Sequence, residues 1–261
     1  VKIVSYNILE GGVGRADPLA EVILAQQADV VCVIEADDPA VLARLRHRLK
    51  MDCVNATAGR DAVAIFSRWP IVQSIDHAAL NSAFTGSLLE AVVVDPAGVK
   101  WPIGAVHLSA KATEAAEQKR EDEIGFVLDA FASYREHEQP HFLAGDFNAN
   151  APGQQIDPSR CKPATQKAWE ENGGRIPRRV VQRLLDAGYA DSLAAFDAQH
   201  AAVIGSFTTQ HPGQRVDYIF AFGLPTPTRA WIEQDRLAKY ASDHFPVGAE
   251  WVMARRPGTT A

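Results

Sequence analysis

Ala28 to Ile34 is a near-continuous apolar run that stops at a carboxylate, Glu35. An unbroken run of this kind reads as a strand covered on both faces, which requires a layered fold with a sheet inside. The same arrangement recurs along the chain. Val1 to Tyr6 closes on Asn7, the β-type run at 101–108 carries His107 near its end, and Phe142-Leu143-Ala144 leads through Gly145 to Asp146. Strand side chains repeat every two residues, so Asp146 and Asn148 fall on the same edge of a sheet. Strands ending on an acid, an amide or an imidazole would gather those groups along one rim.

The remaining runs fill out this picture. Further strands are expected at about 62–67, 71–76, 88–95, 203–208, 215–222 and 246–252. Turn signals stand between several of them, at Trp69-Pro70, Asn81 to Gly86 and Asp95-Pro96-Ala97-Gly98. Helices are expected over residues 18–27, with Asp17 as cap and Pro18 in the first turn, and over 39–49, 112–134, 165–171 and 178–187, the last ending at Gly188. Arg44, Arg46, Arg48 and Lys50 read as a solvated helix face. Many strands interrupted by few helices point to two stacked sheets with helices outside. No repeat or break in composition divides the chain, so residues 1–252 are expected to form a single domain, with a disordered tail at 253–261.

The charge balance narrows the partners. A net charge of -6 carries no global basic field for nucleic acid, although a local basic groove would escape that count. Cys32, Cys53 and Cys161 show neither zinc spacing nor a disulfide framework, and Cys32 sits in an apolar run as a small buried residue. No stretch approaches the roughly 20 apolar residues of a membrane span. No signal peptide is visible, which favours a cytoplasmic protein, and no stable protein partner is implied.

Four features carry chemistry. Glu35 is either a helix N-cap or first-turn acid favoured by a helix dipole or a ligand for a hard cation such as Mg2+. Asp146 is placed to accept a proton from an attacking water, with Asn148 orienting a phosphate. Asp217, inside Arg215-Val216-Asp217-Tyr218-Ile219-Phe220, is a carboxylate in an apolar strand that needs a partner. That partner is either Arg215 or an imidazole, and Ser242-Asp243-His244 supplies one. His107 is either structural, or a phosphate contact or proton donor to the leaving group. Together they point to metal-assisted hydrolysis of a phosphate ester.

The ordered set Tyr6-Asn7, Glu35, Ala64 to Pro70, His107-Leu108, Gly145-Asp146-Phe147-Asn148, Arg215 to Phe220 and Ser242-Asp243-His244 resembles the endonuclease/exonuclease/phosphatase superfamily. The resemblance runs from Tyr6 to His244. It implies an α/β fold, a four-layer α/β/β/α sandwich of two mixed sheets with outer helices, and a site at the strand ends. It also implies Glu35 as principal ligand of Mg2+ or Mn2+, with Asn7 beside it and Asp243 touching a metal or its water. Asp146 would activate the water and Asn148 would contact the phosphate. Asp217 would orient His244, and His107 and His244 would bind the scissile phosphate. Many members carry Gln before the metal-binding Glu, where this chain has Ile34. His107-Leu108 stands where abasic-site nucleases carry a Tyr-containing segment, which brings the chain nearer the deoxyribonuclease, sphingomyelinase and small phosphodiesterase branches.

Substrate choice is expected in loops, above all 149–179 with Arg160, Lys162, Lys167, Arg175, Arg178 and Arg179. Lys111, Arg178 and Arg179 are taken as substrate-binding, with Arg15 a further candidate. Ala83-Phe84 is a weak membrane-docking feature. The substrate is a phosphate ester: a small-molecule or lipid phosphodiester, favoured slightly by the acidic net charge, or DNA. A phosphomonoesterase and a non-catalytic binding module are the other readings.

Overall fold

A computed structural model describes residues 1–252, and the tail expected at 253–261 lies outside them. One sheet holds β1 (Lys2–Asn7), β2 (Val30–Ile34), β3 (Asp52–Ala56), β4 (Val63–Ser67), β11 (Arg229–Ile232) and β12 (Val247–Glu250), ordered β11-β12-β1-β2-β4-β3. The other holds β5 (Ile71–Asp76), β6 (Ser87–Val94), β7 (Lys100–His107), β8 (His141–Asp146), β9 (Ala190–Asp191) and β10 (Asp217–Phe222), ordered β5-β6-β7-β8-β10-β9. Both are mixed: β1 and β2 run parallel, as do β7 and β8, and the other pairs are antiparallel.

The two-residue repeat sorts the apolar side chains into layers. Ile103, Ala105, Phe142, Ala144, Ile219 and Ala221 point toward the first sheet and share one core with its strands. Phe142 meets Trp251, which follows β12, at 5.0 Å between ring centroids, tying the sheets together. The alternate residues Val106, Leu143 and Phe220 point outward, to helices Glu114–Ala130 and Arg179–Asp186. Helices Ala16–Gln26 and Pro39–Leu49 bury Leu19, Ile23, Val41 and Leu45 in the first sheet's core. The result is the expected four-layer α/β/β/α sandwich.

Several expectations need correction. The first helix begins at Ala16 without a side-chain cap. Asp17 is instead drawn to Arg44 and Arg48, so those two arginines are paired rather than simply solvated. Residues 203–208 form no strand: Asp197 caps a short helix, Ala198–Val203, and Phe207 makes only isolated bridges to Gln214 and His244. β3 and β11 were not anticipated, because these edge strands lack a clean apolar alternation. The helix expected over 112–134 runs from Glu114 to Ala130 and restarts as Ala132–Glu136. Phe84 is buried and stacked on Phe126 at 4.4 Å, which removes it as a membrane-docking side chain. No helix among the described residues is long and apolar enough to cross a membrane.

Candidate active site

Register builds the centre of the site. His107 on β7 pairs directly with Asp146 on β8, which pairs with Asp217 on β10. All three share the inward parity of Ala105, Ala144 and Ile219, so they stand abreast at the rim between the sheets. Gly145 permits this close approach: a Cβ there would meet the Val106 carbonyl oxygen at 1.9 Å. The first sheet meets them at its own strand ends. Asn7 Nδ2 donates to Glu35 Oε1 at 3.0 Å and to Asp146 Oδ2 at 3.2 Å, bridging the two sheets. Glu35 takes a left-handed conformation, φ 58°, and its Oε2 accepts from the Glu10 amide at 2.7 Å. The helix-cap role belongs to Asp38, not Glu35. Asn148, φ 48°, donates its backbone N–H to Asp146 Oδ1 at 2.8 Å and Nδ2 to the Leu108 carbonyl at 3.0 Å.

Two imidazoles flank Asp146, with each Nε2 3.7 Å from Oδ2. Each has a carboxylate behind its other nitrogen. His244 Nδ1 donates to Asp217 Oδ2 at 2.9 Å, and the same oxygen accepts from Ser206 Oγ at 2.6 Å. Burial works against a charged His244, but Asp217 and Asp146 overcome it and hold the ring protonated. His107 Nδ1 lies 3.2 Å from Asp61 Oδ2, a charge contact off the ideal hydrogen-bond line. Burial again opposes the charge, and Asp61, Asp146 and Glu35 outweigh it, so His107 also rises above the ordinary histidine range. Asp61, Ser206 and Phe207 escaped the sequence reading. Asp61 is delivered by the loop before β4, which Ser87 Oγ pins by accepting from the Arg60 and Asp61 amides. Since Ser87 on β6 is the cross-strand partner of His107 on β7, the strand pair that places the imidazole also places its carboxylate.

Asp217 does not pair with Arg215. That guanidinium grips buried Asp191 at 2.6 and 3.0 Å, which leaves Asp217 to the imidazole.

Asp146, Asp217 and His244 offer ligand atoms within 4.8 Å of one another. A protonated His244 and a twice-engaged Asp217 Oδ2 read as a proton-holding array rather than metal ligands. Glu35 and Asp243 line the same cleft beside this group and would offer further oxygens to a hard cation. Asp243 Oδ1 is buried with no hydrogen-bond partner, as is Asp217 Oδ1. Burial raises the Asp243 pKa, and the Glu35 and Asp146 charges push it further, against the pull of His244 and Lys162. Converging carboxylates with an unpartnered oxygen suit a divalent ion that takes one or two of them and keeps several waters.

These residues open into a cleft of ≈ 420 Å³ lined by Arg60, Lys111, Lys162 and Lys167 as well as by the acids and imidazoles. Arg178 and Arg179, expected to bind substrate, do not line it. Arg178 spends Nη1 on the Ala151 and Pro152 carbonyls, and Arg179 pairs with Glu114 and Glu121 on the outer helix. Arg15 is likewise occupied, by the carbonyls of Ile8, Leu9 and Ala241.

The sequence matches the model of the Endonuclease/Exonuclease/phosphatase family over residues 4–244. No curated protein sequence gives a match. Among solved structures, the endonuclease/exonuclease/phosphatase from Beutenbergia cavernae DSM 12333 superposes with a TM-score of 0.71 at 20% identity, covering 95% of this chain and 70% of that one. The 3'-5' exonuclease NExo from Neisseria meningitidis gives 0.69 at 22%, covering 96% and 99%. D. rerio TDP2 complexed with single strand DNA product gives 0.67 at 20%, covering 95% and 97%. Identities this low speak for the fold alone, and family membership rests on the sequence model. That match takes in every strand end that opens into the cleft, so the chain belongs to the endonuclease/exonuclease/phosphatase family of phosphoric ester hydrolases.

Proposed function

We propose that this chain is a divalent-metal-dependent phosphodiesterase. The observation that carries the reading is the pair of imidazoles around Asp146, each backed by its own carboxylate. Two charged N–H donors match the two non-bridging oxygens of a phosphodiester. The open cleft leaves room for an ester arm on either side. Glu35 and Asp243, with Asn7 beside them, would hold Mg2+ or Mn2+. A bound divalent ion supplies charge neutralisation at the phosphoryl oxygens.

The chain's own groups account for the rest. Asp146 accepts a hydrogen bond from the attacking water and takes its proton as the new oxygen–phosphorus bond forms. The ester oxygen–phosphorus bond breaks on the far side, and the leaving alkoxide takes a proton from solvent water in the open cleft. His107 and His244 donate from Nε2 to the non-bridging oxygens, where charge gathers, and Asp61 and Asp217 hold them charged and oriented. Asn148, fixed by Leu108, contacts the phosphate or the water.

DNA as the diester is supported by the local cations of the cleft and by the TDP2 complex with a DNA product. The net charge of -6, which favours small or lipid diesters, is a whole-chain count and does not describe this cleft. The test is hydrolysis of bis(p-nitrophenyl) phosphate against p-nitrophenyl phosphate with Mg2+, Mn2+ or EDTA, with Asp146→Ala as control. Metal-dependent release from the diester, lost in Asp146→Ala, is expected. Release from the monoester alone would replace the reading with a phosphatase, and full activity in Asp146→Ala would remove the proposed base.

A further inference from the structure

Residues between Lys162 and Glu171 form one wall of the cleft and bring Lys162 to it. Its ammonium lies 4.2 Å from the centroid of the Phe207 ring, and that ring stacks on His244 at 4.4 Å with a tilt of 32°. Lys162 is therefore held a fixed two stacking steps from the imidazole that faces the scissile phosphate. Lys111 lines the same cleft from the loop after β7, in a left-handed backbone conformation of φ 85°. Its carbonyl accepts from Arg120 Nη1 at 2.7 Å, and Arg120 is itself buried and paired with buried Glu117. A strained backbone held by a buried ion pair is a costly way to present a surface lysine, unless its position matters.

These two cations differ from their neighbours. Lys167 pairs with Glu171, and Arg60 with Asp61. Among the described residues neither Lys111 nor Lys162 has a carboxylate within 4.0 Å. A scissile diester carries one negative charge, and two charged imidazoles already face it. Two ammonium groups free of carboxylate contact at the cleft wall offer a second anion its partners, and lysine suits phosphate as a point charge.

We propose that Lys111 and Lys162 form a second phosphate subsite, one ester arm away from the scissile phosphorus. The preferred substrate then carries another phosphate on one arm of the diester. This rests on the phosphodiesterase reading above. The second phosphate has two possible sources, the next link of a nucleic-acid strand or a terminal phosphate on a small diester.

The test compares kcat/KM for thymidylyl-thymidine, the same dinucleotide with a 5' or 3' terminal phosphate, and an oligothymidylate. The wild-type chain should prefer one phosphorylated dinucleotide over the plain one by about tenfold, the scale of one charge-assisted contact. Lys162→Ala and Lys111→Ala should each reduce that ratio, chiefly through KM, and Lys162→Arg should restore most of it. A further gain on the oligothymidylate assigns the subsite to a strand, and equal rates assign it to a terminal phosphate. Wild-type hydrolysis without preference, or preference retained in both alanine variants, would overturn the subsite alone. Failure to cleave any of these together with bis(p-nitrophenyl) phosphate would instead overturn the phosphodiesterase reading.

Discussion

Asp217→Asn keeps the shape of a side chain that is 1% exposed and removes its charge. In the native chain burial disfavours the imidazolium of His244, and Asp217 with Asp146 reverses this, carrying its pKa up to about 10. With the Asp217 charge gone, Asp146, at 3.7 Å from Nε2, and Asp243 are the carboxylates left against burial. The ring then loses its proton at lower pH, and the donor to the phosphate weakens from charged to neutral. A charge-assisted hydrogen bond contributes about 1.5–3 kcal/mol, and about 1.4 kcal/mol is tenfold, so kcat/KM should fall about 10- to 100-fold at neutral pH. The alkaline limb of the pH–rate profile should move down with it. Asp61→Asn is the internal comparison. Asp61 serves His107 as Asp217 serves His244, but its side chain is 33% exposed, and water already screens its charge. Its loss should cost only about 1.5- to 5-fold, on the scale of a partly exposed ion pair. The assay is bis(p-nitrophenyl) phosphate hydrolysis across pH with saturating Mg2+, with circular dichroism to check the fold. An unmoved alkaline limb in Asp217→Asn, or greater damage from Asp61→Asn, would refute the claim that buried carboxylates hold these imidazoles charged.

Gly145→Ala would drive a Cβ into the Val106 carbonyl, so β7 and β8 must part. A loss of about 3 kcal/mol in urea unfolding is expected, the upper range for overpacking, with activity falling further because His107 and Asp146 separate. Glu35→Gln should raise the Mg2+ concentration for half-maximal activity at least about tenfold, one charge-assisted contact, and an unchanged titration would exclude it as the ligand. EDTA should abolish turnover in the wild-type chain. Arg215→Leu leaves Asp191 buried and unpaired and should cost about 3–5 kcal/mol; a loss under about 1 kcal/mol in urea unfolding would show that the pair carries no such weight. His141 is buried, its Nδ1–H donates to the Gln139 carbonyl, and its Nε2 accepts from the Tyr189 hydroxyl. Burial lowers its pKa from 6.5 to about 4, so this stability is complete above 6.5 and is lost as pH falls from 6.5 toward 4. The loss amounts to up to about 3 kcal/mol. His141→Gln should flatten that acid dependence in urea titrations, and an equally steep dependence would exclude this histidine as its source.

What could be read in advance follows the physics of each group. Glu35, His107 and Asp146 were legible because each interrupts or ends an apolar strand, where a polar group without a task is expensive. Asp217 was legible for the same reason, but its partner was not: choosing between Arg215 and His244 required knowing that Asp191, on β9, would claim the guanidinium. Asp61 left no mark because it sits in a polar loop where an aspartate is ordinary. What selects it is Ser87, a cross-strand neighbour of His107 and 26 residues away in sequence, gripping the loop. The arginines failed for a matching reason. Composition shows that 149–179 is basic, but whether a cation faces substrate depends on which carboxylates and carbonyls the fold brings to it first. Arg178 and Arg179 are occupied by such groups, while Lys111 and Lys162 have no carboxylate within reach. Strand-end chemistry is thus written locally, in the contrast between a side chain and its run. The pairing that tunes it is written across the sheets, where only the assembled register reveals it.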